Sequence, residues 1–320
     1  MTHLSVVVPV YNESSLIGEP VNRVKNNLVS VTEDFEIILV DDGSRDETWK
    51  LIENEAKQEK RIKGIQFSRN FGQHYAITAG LHHSSGEWVI VMDGDLQDRP
   101  EVIPDLYKKA VSGFDIVFVS RQKRPEKFHY LLLQKIFYWV LKRLSGMDFD
   151  SSQANFSILN KKVVEAYKKF PESVRFYGST IKWLGFSTGN IFADHGSRHS
   201  GKPSYTLRKR INLASDIIFS FSDRPLKFSV YFGIFISLQA ILGALWILFR
   251  SMRWGYEVSG WPSLIISTVF FSGVIISILG IIGIYIGRIH REVKNRPLYL
   301  LDHTTNFIPQ PIIKTGDKNA

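Results

Sequence analysis

The sequence contains no cysteine among its 320 residues. A disulfide framework, a thiolate metal site and a cysteine nucleophile are therefore excluded. Two phosphate-binding patterns are also missing, because no GxGxxG follows the first predicted strand and no GxxxxGK(S/T) occurs in the chain. The sequence thus gives no support for a dinucleotide-binding fingerprint or for a P-loop NTPase.

An excess of positive charge is missing from residues 1–195, which carry 25 Lys and Arg against 25 Asp and Glu. The formal net charge of +9 comes from the rest of the chain, with +5 over residues 196–227 and +4 over residues 228–320. The mean hydropathy of −0.06 argues against a transporter with many spans. The uneven charge indicates two parts with different surroundings.

Two long stretches carry no charged residue: Phe228–Phe249, with 22 residues, and Val258–Gly287, with 30 residues. A hydrocarbon core of about 30 Å needs roughly 20 helical residues. Trp246, Trp254 and Trp261 lie near the expected membrane interfaces. The pattern predicts two transmembrane helices, at 228–249 and 261–287, and the alternative is a pair of buried core helices.

The basic residues on the flanks predict the orientation of these spans. Lys and Arg are concentrated before the first span and after the second, and cytoplasmic flanks carry such an excess. We therefore expect a multi-pass protein of the cell (inner or plasma) membrane, with both termini cytoplasmic, a short external loop at 250–260 and a basic cytoplasmic tail at 288–320. An amphipathic juxtamembrane helix is predicted at 208–227. Residues 128–144 suit either an interfacial helix or a helix packed on the domain core.

The first part of the chain has the pattern of an α/β fold. Short, β-branched, apolar runs predict strands at Leu4–Val10, Glu36–Val40, Arg61–Phe67, Trp88–Met92 and Asp115–Val119. Helical patterns between them, such as Leu16–Val29, Asp46–Gln58 and Gln73–His83, predict a mostly parallel sheet covered on both faces. In such sheets ligands bind beyond the carboxyl ends of the strands.

Polar residues follow four successive predicted strands. They are Pro9–Glu13, Asp41–Ser44, Ser68–Gly72 and Asp93–Asp98. The pair Asp93 and Asp95 suits Mg²⁺ or Mn²⁺, which bind through one or two carboxylates together with substrate phosphates. The alternative is a turn with two solvated acids, and the agreement of four strand ends favours the metal site.

Five segments resemble family-2 glycosyltransferases of the polyprenyl-phosphate type. The segments are SVVVPVYNE, VDDGSRDET, SRNFGQHYA, MDGDLQDRPE and GRIHREVKNRPLYL. The pattern is similar to bactoprenol glucosyltransferases and dolichyl-phosphate mannose synthases, and it covers about residues 4–300. The resemblance implies a GT-A domain over 1–207 that binds a nucleotide sugar and carries out an inverting, metal-dependent transfer.

The resemblance also implies roles for individual residues. The positions expected to bind the nucleotide sugar are Pro9, Tyr11, Glu13, Asp42 and Asp93. The positions expected to act in catalysis are Asp93, Asp95, Gln97, Arg198 and Lys202. Asp93 and Asp95 match the DxD motif, with Asp95 the more direct metal ligand.

The chain departs from the family pattern at two positions. Lys202-Pro203-Ser204-Tyr205 stands where the family often has Gly-x-Ser-Lys-Tyr, which leaves open whether Lys202 replaces the usual lysine. Asn155-Phe156 stands where an Asp-Phe pair is common, so Asn155 is no general base. A phosphomonoester acceptor with a second pKa near 6 is already ionised at neutral pH and needs no such base.

The sequence-based hypothesis is transfer of one hexose, glucose from UDP-glucose, to undecaprenyl phosphate. The motif Gln-x-x-Arg-Trp resembles processive polysaccharide synthases. It does not occur in this chain, which favours single transfer. A GDP-mannose-dependent mannosyltransferase is the nearest alternative, and a non-catalytic membrane-tethered nucleotide-sugar binder is a more distant one. We expect the chain to associate with copies of itself in a homo-oligomer, and we do not expect it to bind nucleic acid.

Overall fold

The computed structural model describes residues 2–94, 99–121, 143, 153–170, 172, 176–193, 224–254 and 260–307. The predicted site residues Asp95, Gln97, Arg198 and Lys202 lie outside these ranges. So do the helices predicted at 128–144 and 208–223, apart from Arg143.

The described residues form eight strands and eight α-helices. The strands are β1 (Leu4–Val10), β2 (Phe35–Asp41), β3 (Ile62–Phe67), β4 (Trp88–Val91), β5 (Ile116–Arg121), β6 (Gln153–Asn160), β7 (Thr188–Ala193) and β8 (Leu301–Thr305). The helices are α1 (Glu19–Val29), α2 (Thr48–Gln58), α3 (Gln73–His83), α4 (Ile103–Val111), α5 (Lys161–Lys168), α6 (Tyr177–Trp183), α7 (Arg224–Trp254) and α8 (Trp261–Val293). Single 3-10 turns lie at Ser14–Leu16 and Pro100–Val102.

The strands make one sheet in the order β7-β5-β6-β4-β1-β2-β3-β8. The pairs β1–β2, β1–β4, β2–β3 and β5–β7 are parallel, whereas β6 and β8 run antiparallel to their neighbours. The mostly parallel α/β class predicted from the sequence is therefore confirmed. The parallel pairs bring the carboxyl ends of β1, β2 and β4 to one edge.

Alternate side chains of the sheet enter two separate cores. Val6 and Val8 of β1 pack with α1, α2 and α4, whereas Val7 packs with α3, α5 and α6 on the opposite face. Both faces of β1 and β2 are buried along their whole length. This burial explains their continuous apolar sequences, because a strand covered on both faces has no polar side.

Helix α3 lies close to β1 because Gly80 has no side chain. An added Cβ at Gly80 would lie 2.1 Å from Cγ1 of Val7. We expect Gly80→Ala to destabilise the protein by about 1 to 3 kcal/mol through overpacking, measured by thermal denaturation in detergent. Gly178→Ala in α6 is the matched control, since no atom lies within 4 Å of its added Cβ. A Gly80→Ala protein as stable as the parent would contradict this packing.

The chain divides into two compact units. The first, here called the sheet unit, comprises residues 1–127, 149–204 and 296–320, and the second, the helical unit, comprises residues 128–148 and 205–295. The sequence predicted a basic tail at 288–320. In the structure, helix α8 continues to Val293, and residues 301–305 form strand β8, which pairs with β3.

Side-chain contacts explain why the chain returns to the sheet after α8. The ring of Tyr299 stacks on Phe67, with 5.0 Å between centroids. The amide of Asn306 donates to the carbonyl oxygens of Ala56 and Ile62. The sequence pattern gave little sign of this strand, since four of its five side chains are exposed.

Helices α7 and α8 of the helical unit are long and apolar enough to cross a membrane. The candidate spans are Leu226–Gly243 and Phe270–Val293, with 6% and 0% of their residues buried. Large apolar side chains such as Phe228 and Ile276 are more than 60% exposed. This exposure argues against the alternative of two core helices, because buried helices would cover these side chains.

Candidate active site

Three of the predicted site residues lie at the carboxyl edge of the sheet. Pro9 pairs with Val40, two residues before Asp42. The register of β1 and β4, continued two residues beyond its last pair, brings Asp93 level with Pro9. The backbone N–H of Asp42 donates to the carbonyl oxygen of Val10 at 3.0 Å. The ends of β1, β2 and β4 therefore form one continuous surface, as predicted.

The loop after β1 is attached to the loop after β2. Asn12 has a left-handed φ of 51°, its N–H donates to Ser44 Oγ at 2.8 Å, and its Oδ1 accepts the N–H of Arg45 at 2.9 Å. Asparagine adopts this backbone region more readily than most residues. The side chain of Tyr11, in the same loop, is 41% exposed at the edge of the sheet. Its ring is thus accessible to a ligand, as a nucleoside contact requires.

Asp42 is buried and holds the loop between β3 and α3. Its Oδ1 accepts the N–H of Phe71 at 2.7 Å, and its Oδ2 accepts the N–H of Gly72 at 2.9 Å. Burial raises the pKa of this carboxyl to about 6, although the two backbone hydrogen bonds lower it. The contacts give Asp42 a positioning role, and its contact with a nucleoside stays a prediction.

Gly43 lets the loops after β2 and β3 touch. Its φ is +70°, and an added Cβ would lie 2.4 Å from the carbonyl carbon of Arg69. The guanidinium of Arg69 lies 4.0 Å from the centroid of the Phe71 ring. A side chain at position 43 would therefore push apart the loops that Asp42 joins.

The raised pKa of Asp42 predicts a pH-dependent contribution to stability. The carboxyl has an ordinary pKa of 3.8 and a folded-state pKa of about 6, so between these values the folded protein binds a proton that the unfolded chain does not. Stability from this group therefore falls as pH rises across that interval. We expect the melting temperature of the parent to fall relative to Asp42→Asn over the same interval. If the melting temperatures of the two proteins changed in parallel with pH, the raised pKa of Asp42 would be contradicted.

Asp93 accepts hydrogen bonds from two side-chain amides. Nε2 of Gln73 donates to Oδ1 of Asp93 at 2.7 Å, and Nδ2 of Asn155 donates to the same oxygen at 3.1 Å. Gln73 is the first residue of α3, and Asn155 lies on β6. The carboxylate predicted to bind a metal is thus fixed from two elements.

Glu13 brings a second carboxylate to the segment that carries Asp93. An added Cβ at Gly94 would lie 3.0 Å from the carbonyl oxygen of Pro9 and 3.2 Å from Oε2 of Glu13. The segment after β4 therefore runs close over the end of β1. No group of three or more His, Asp or Glu side chains that could hold a metal occurs in the described part of the chain. One or two carboxylates completed by substrate phosphates fit Mg²⁺ or Mn²⁺.

A neutral polar layer lies behind the carboxylate. The hydroxyl of the buried Tyr177 is 2.7 Å from Ser157 Oγ, and Ser157 Oγ also donates to the carbonyl oxygen of Asn155 at 2.8 Å. Nδ1 of His74 accepts the N–H of Tyr177 at 3.4 Å. Burial lowers the pKa of His74 to about 4 and raises that of Tyr177. Both groups are uncharged at neutral pH.

Sequence reasoning missed Gln73 and the contact that Asn155 makes. Gln73 follows the third strand within SRNFGQHYA, so its place at the carboxyl edge was the available signal. Asn155 stood out only as a departure from the family. Its position opposite Asp93 depends on the antiparallel pairing of β6 with β4, and that pairing was not predicted.

Comparison with known proteins gives close relatives over nearly the whole chain. The uncharacterized glycosyltransferase YkcC of Bacillus subtilis is 36% identical over 298 residues, which cover 93% of this chain and 92% of that protein. The bactoprenol glucosyl transferase of Shigella phage SfII is 35% identical over 301 residues, covering 93% and 97%. Among solved structures, the mannosyltransferase PcManGT from Pyrobaculum calidifontis, in complex with GDP-Man and Mn²⁺, is similar with a TM-score of 0.47 and 16% identity, covering 92% of this chain and 88% of that one.

Residues 5–175 match the family model described as glycosyl transferase family 2. This match covers more than half of the chain, and the relatives above align with most of the rest. The residues at the carboxyl edge that carry the candidate site, from Pro9 to Asn155, all fall within it. The chain is a glycosyltransferase and belongs to glycosyl transferase family 2.

Proposed function

We propose that this enzyme transfers one glucose from UDP-glucose to undecaprenyl phosphate with inversion at the anomeric carbon. Relatives named bactoprenol glucosyl transferase, from three Shigella phages, support a polyprenyl lipid as the acceptor. Two apolar helices long enough to cross a membrane also support a membrane lipid as the acceptor. The nucleotide sugar binds at the carboxyl edge, next to Pro9, Tyr11, Glu13 and Asp42.

The observation that carries the proposal is the pairing of Asp93 with amides. Asn155 presents an N–H donor to Asp93 and has no basic atom that could take a proton. A sugar or alcohol hydroxyl as acceptor would need a base. An acceptor phosphate is already an ionised nucleophile at neutral pH. An amide at position 155, beside Asp93, therefore suits a lipid phosphate better than a lipid alcohol.

The reaction needs no proton transfer. An oxygen of the acceptor phosphate forms a bond to the anomeric carbon, and the bond from that carbon to the nucleotide diphosphate breaks on the opposite face. A divalent cation, Mg²⁺ or Mn²⁺, held by Asp93 and Asp95, would neutralise charge on the departing diphosphate. Arg198 and Lys202 would hold the acceptor phosphate, and Gln97 would line the sugar and acceptor side.

Strand β8 supports the membrane orientation. Strands of the sheet occur both before α7 and after α8 in the chain, so two spans would return the chain to the same side of a bilayer. Basic residues flank the pair on the side that joins the sheet: Arg224 and Lys227 before, and Arg288, Arg291, Lys294 and Arg296 after. By the positive-inside tendency, the sheet unit and both termini are cytoplasmic.

A donor screen tests the proposal. Purified enzyme in detergent is given undecaprenyl phosphate, Mn²⁺ or Mg²⁺, and either labelled UDP-glucose or labelled GDP-mannose. We expect label in the lipid from UDP-glucose. Label from GDP-mannose alone would identify a mannosyltransferase instead. Donor binding without lipid product from either sugar would indicate a non-catalytic binder.

A further inference from the structure

We infer that Gln73 and Asn155 are positioning residues for the cation site. They act by fixing the orientation of Asp93. The inference rests on the proposed function, because it assumes that a divalent cation binds with the nucleotide diphosphate. The pair of amides and the oxygen they share is called the amide clamp below. Both donors reach Oδ1 of Asp93, at 2.7 Å and 3.1 Å.

The Gln73 arm of the clamp is fixed by Asp42. The carboxylate of Asp42 accepts the N–H groups of Phe71 and Gly72, the two residues that precede Gln73. Gly72 has a φ of +114°, a conformation that favours glycine, and it is the N-cap residue of helix α3. The first residue of α3 is therefore placed by a buried carboxylate rather than by an exposed loop.

The Asn155 arm is fixed by strand pairing. Strand β6 runs antiparallel to β4, and its register continued by two residues beyond Val91 and Ser157 brings Asn155 opposite Asp93. Ser157 Oγ donates to the carbonyl oxygen of Asn155 and contacts the buried hydroxyl of Tyr177. The amide thus approaches Asp93 from a strand next to its own, and a buried polar layer limits its movement.

The residue type at position 155 decides whether its contact with Asp93 is attractive or repulsive. The amide of Asn155 is a donor, so its interaction with a carboxylate oxygen is attractive. An aspartate there would place a second negative charge about 3 Å from the first, which is repulsive unless a cation lies between them. In this chain the contact between Asn155 and Asp93 is therefore attractive even without a cation between them.

Partners of a metal ligand contribute to affinity because they hold the ligand in its binding orientation. Loss of such a partner costs about 10- to 100-fold in metal affinity or activity in metalloproteins. We expect the same range for each arm of the clamp. Neither amide needs to touch the nucleotide, so affinity for UDP without metal should be unaffected.

The test measures Mn²⁺ and UDP binding by the full-length enzyme in detergent. Mn²⁺ binding in the presence of UDP is followed by electron paramagnetic resonance, and UDP binding without metal by calorimetry. Gln73→Met and Asn155→Leu keep the side-chain size and remove the donors. Each should weaken Mn²⁺ binding about 10- to 100-fold and leave UDP binding and the melting temperature unchanged. Asp93→Asn should weaken Mn²⁺ binding at least as much.

Exposed residues provide the matched controls. Gln58→Met on α2 and Asn26→Leu on α1 make the same chemical changes on exposed positions. They should bind Mn²⁺ like the parent. Parental Mn²⁺ affinity in Gln73→Met and Asn155→Leu, an equal loss of metal-free UDP binding, or no Mn²⁺ binding by the parent would each overturn the clamp. A parent that binds both ligands but glycosylates no lipid would instead overturn the proposed function and leave the clamp intact.

Discussion

Asp93→Asn is expected to lower the rate of sugar transfer by about 10³-fold, or about 4 kcal/mol of transition-state stabilisation. The substitution removes the negative charge that a divalent cation requires. It keeps the shape of the side chain, and the amide oxygen of the new residue still accepts hydrogen bonds from Gln73 and Asn155. The protein should therefore fold and insert normally. Initial rates at saturating donor and acceptor measure the effect.

The control for this substitution is Asp34→Asn, the same change at an exposed position before β2. Its rate should equal that of the parent. Melting temperatures of both variants establish that they are folded. Unchanged turnover in Asp93→Asn would remove Asp93 from the catalytic site, and with it the assignment of a cation to the end of β4.

Replacing undecaprenyl phosphate with undecaprenol is expected to reduce transfer by at least about 10³-fold, since a positioned general base contributes about 10² to 10⁴ and the phosphate supplies charge as well. An alcohol must lose its proton as it attacks. Asn155 donates its amide N–H to Asp93, and this amide takes no proton. The measurement is labelled lipid formed from each acceptor at equal concentration.

A mixture of the two lipids controls for effects on the detergent micelle. Transfer to the phosphate should continue in the presence of the alcohol. Equal rates with the two acceptors would mean that a base operates in the site. An amide at position 155 would then not exclude an alcohol acceptor, although membership of the family would stand.

Much of the fold followed from the sequence because the central strands are buried on both faces. Strand β1 and helix α3 have the predicted limits, Leu4–Val10 and Gln73–His83. The central strands are continuous apolar runs, and α3 lies between clear turn residues. Helix α1 starts at Glu19 instead of Leu16, because Ser14–Leu16 forms a separate 3-10 turn.

The parts that sequence reasoning missed depend on contacts between distant segments. Strand β8 follows both apolar helices and is held by Tyr299 and Asn306, which contact residues more than 200 positions away. The pairing of β6 with β4 is antiparallel in a mostly parallel sheet. Neither leaves a local pattern in the sequence.

The candidate site was predicted at the level of strand ends and not at the level of contacts. Pro9, Tyr11, Asp42 and Asp93 were expected at one edge, and the register of the strands places them there. Asp42 was expected at a nucleoside, yet both of its oxygens accept backbone N–H groups. A side chain that follows a strand can face a ligand or a neighbouring loop, and sequence spacing does not distinguish the two.

The mass of the lipid product distinguishes a single sugar transfer from no transfer and from repeated transfer. The enzyme is incubated with undecaprenyl phosphate, UDP-glucose and Mn²⁺, and the lipid fraction is analysed by mass spectrometry and by mild acid hydrolysis. We expect a lipid heavier by one hexose residue, from which acid releases glucose and leaves the lipid phosphate. A lipid of unchanged mass, or one extended by several hexoses, would contradict a single transfer to the phosphate.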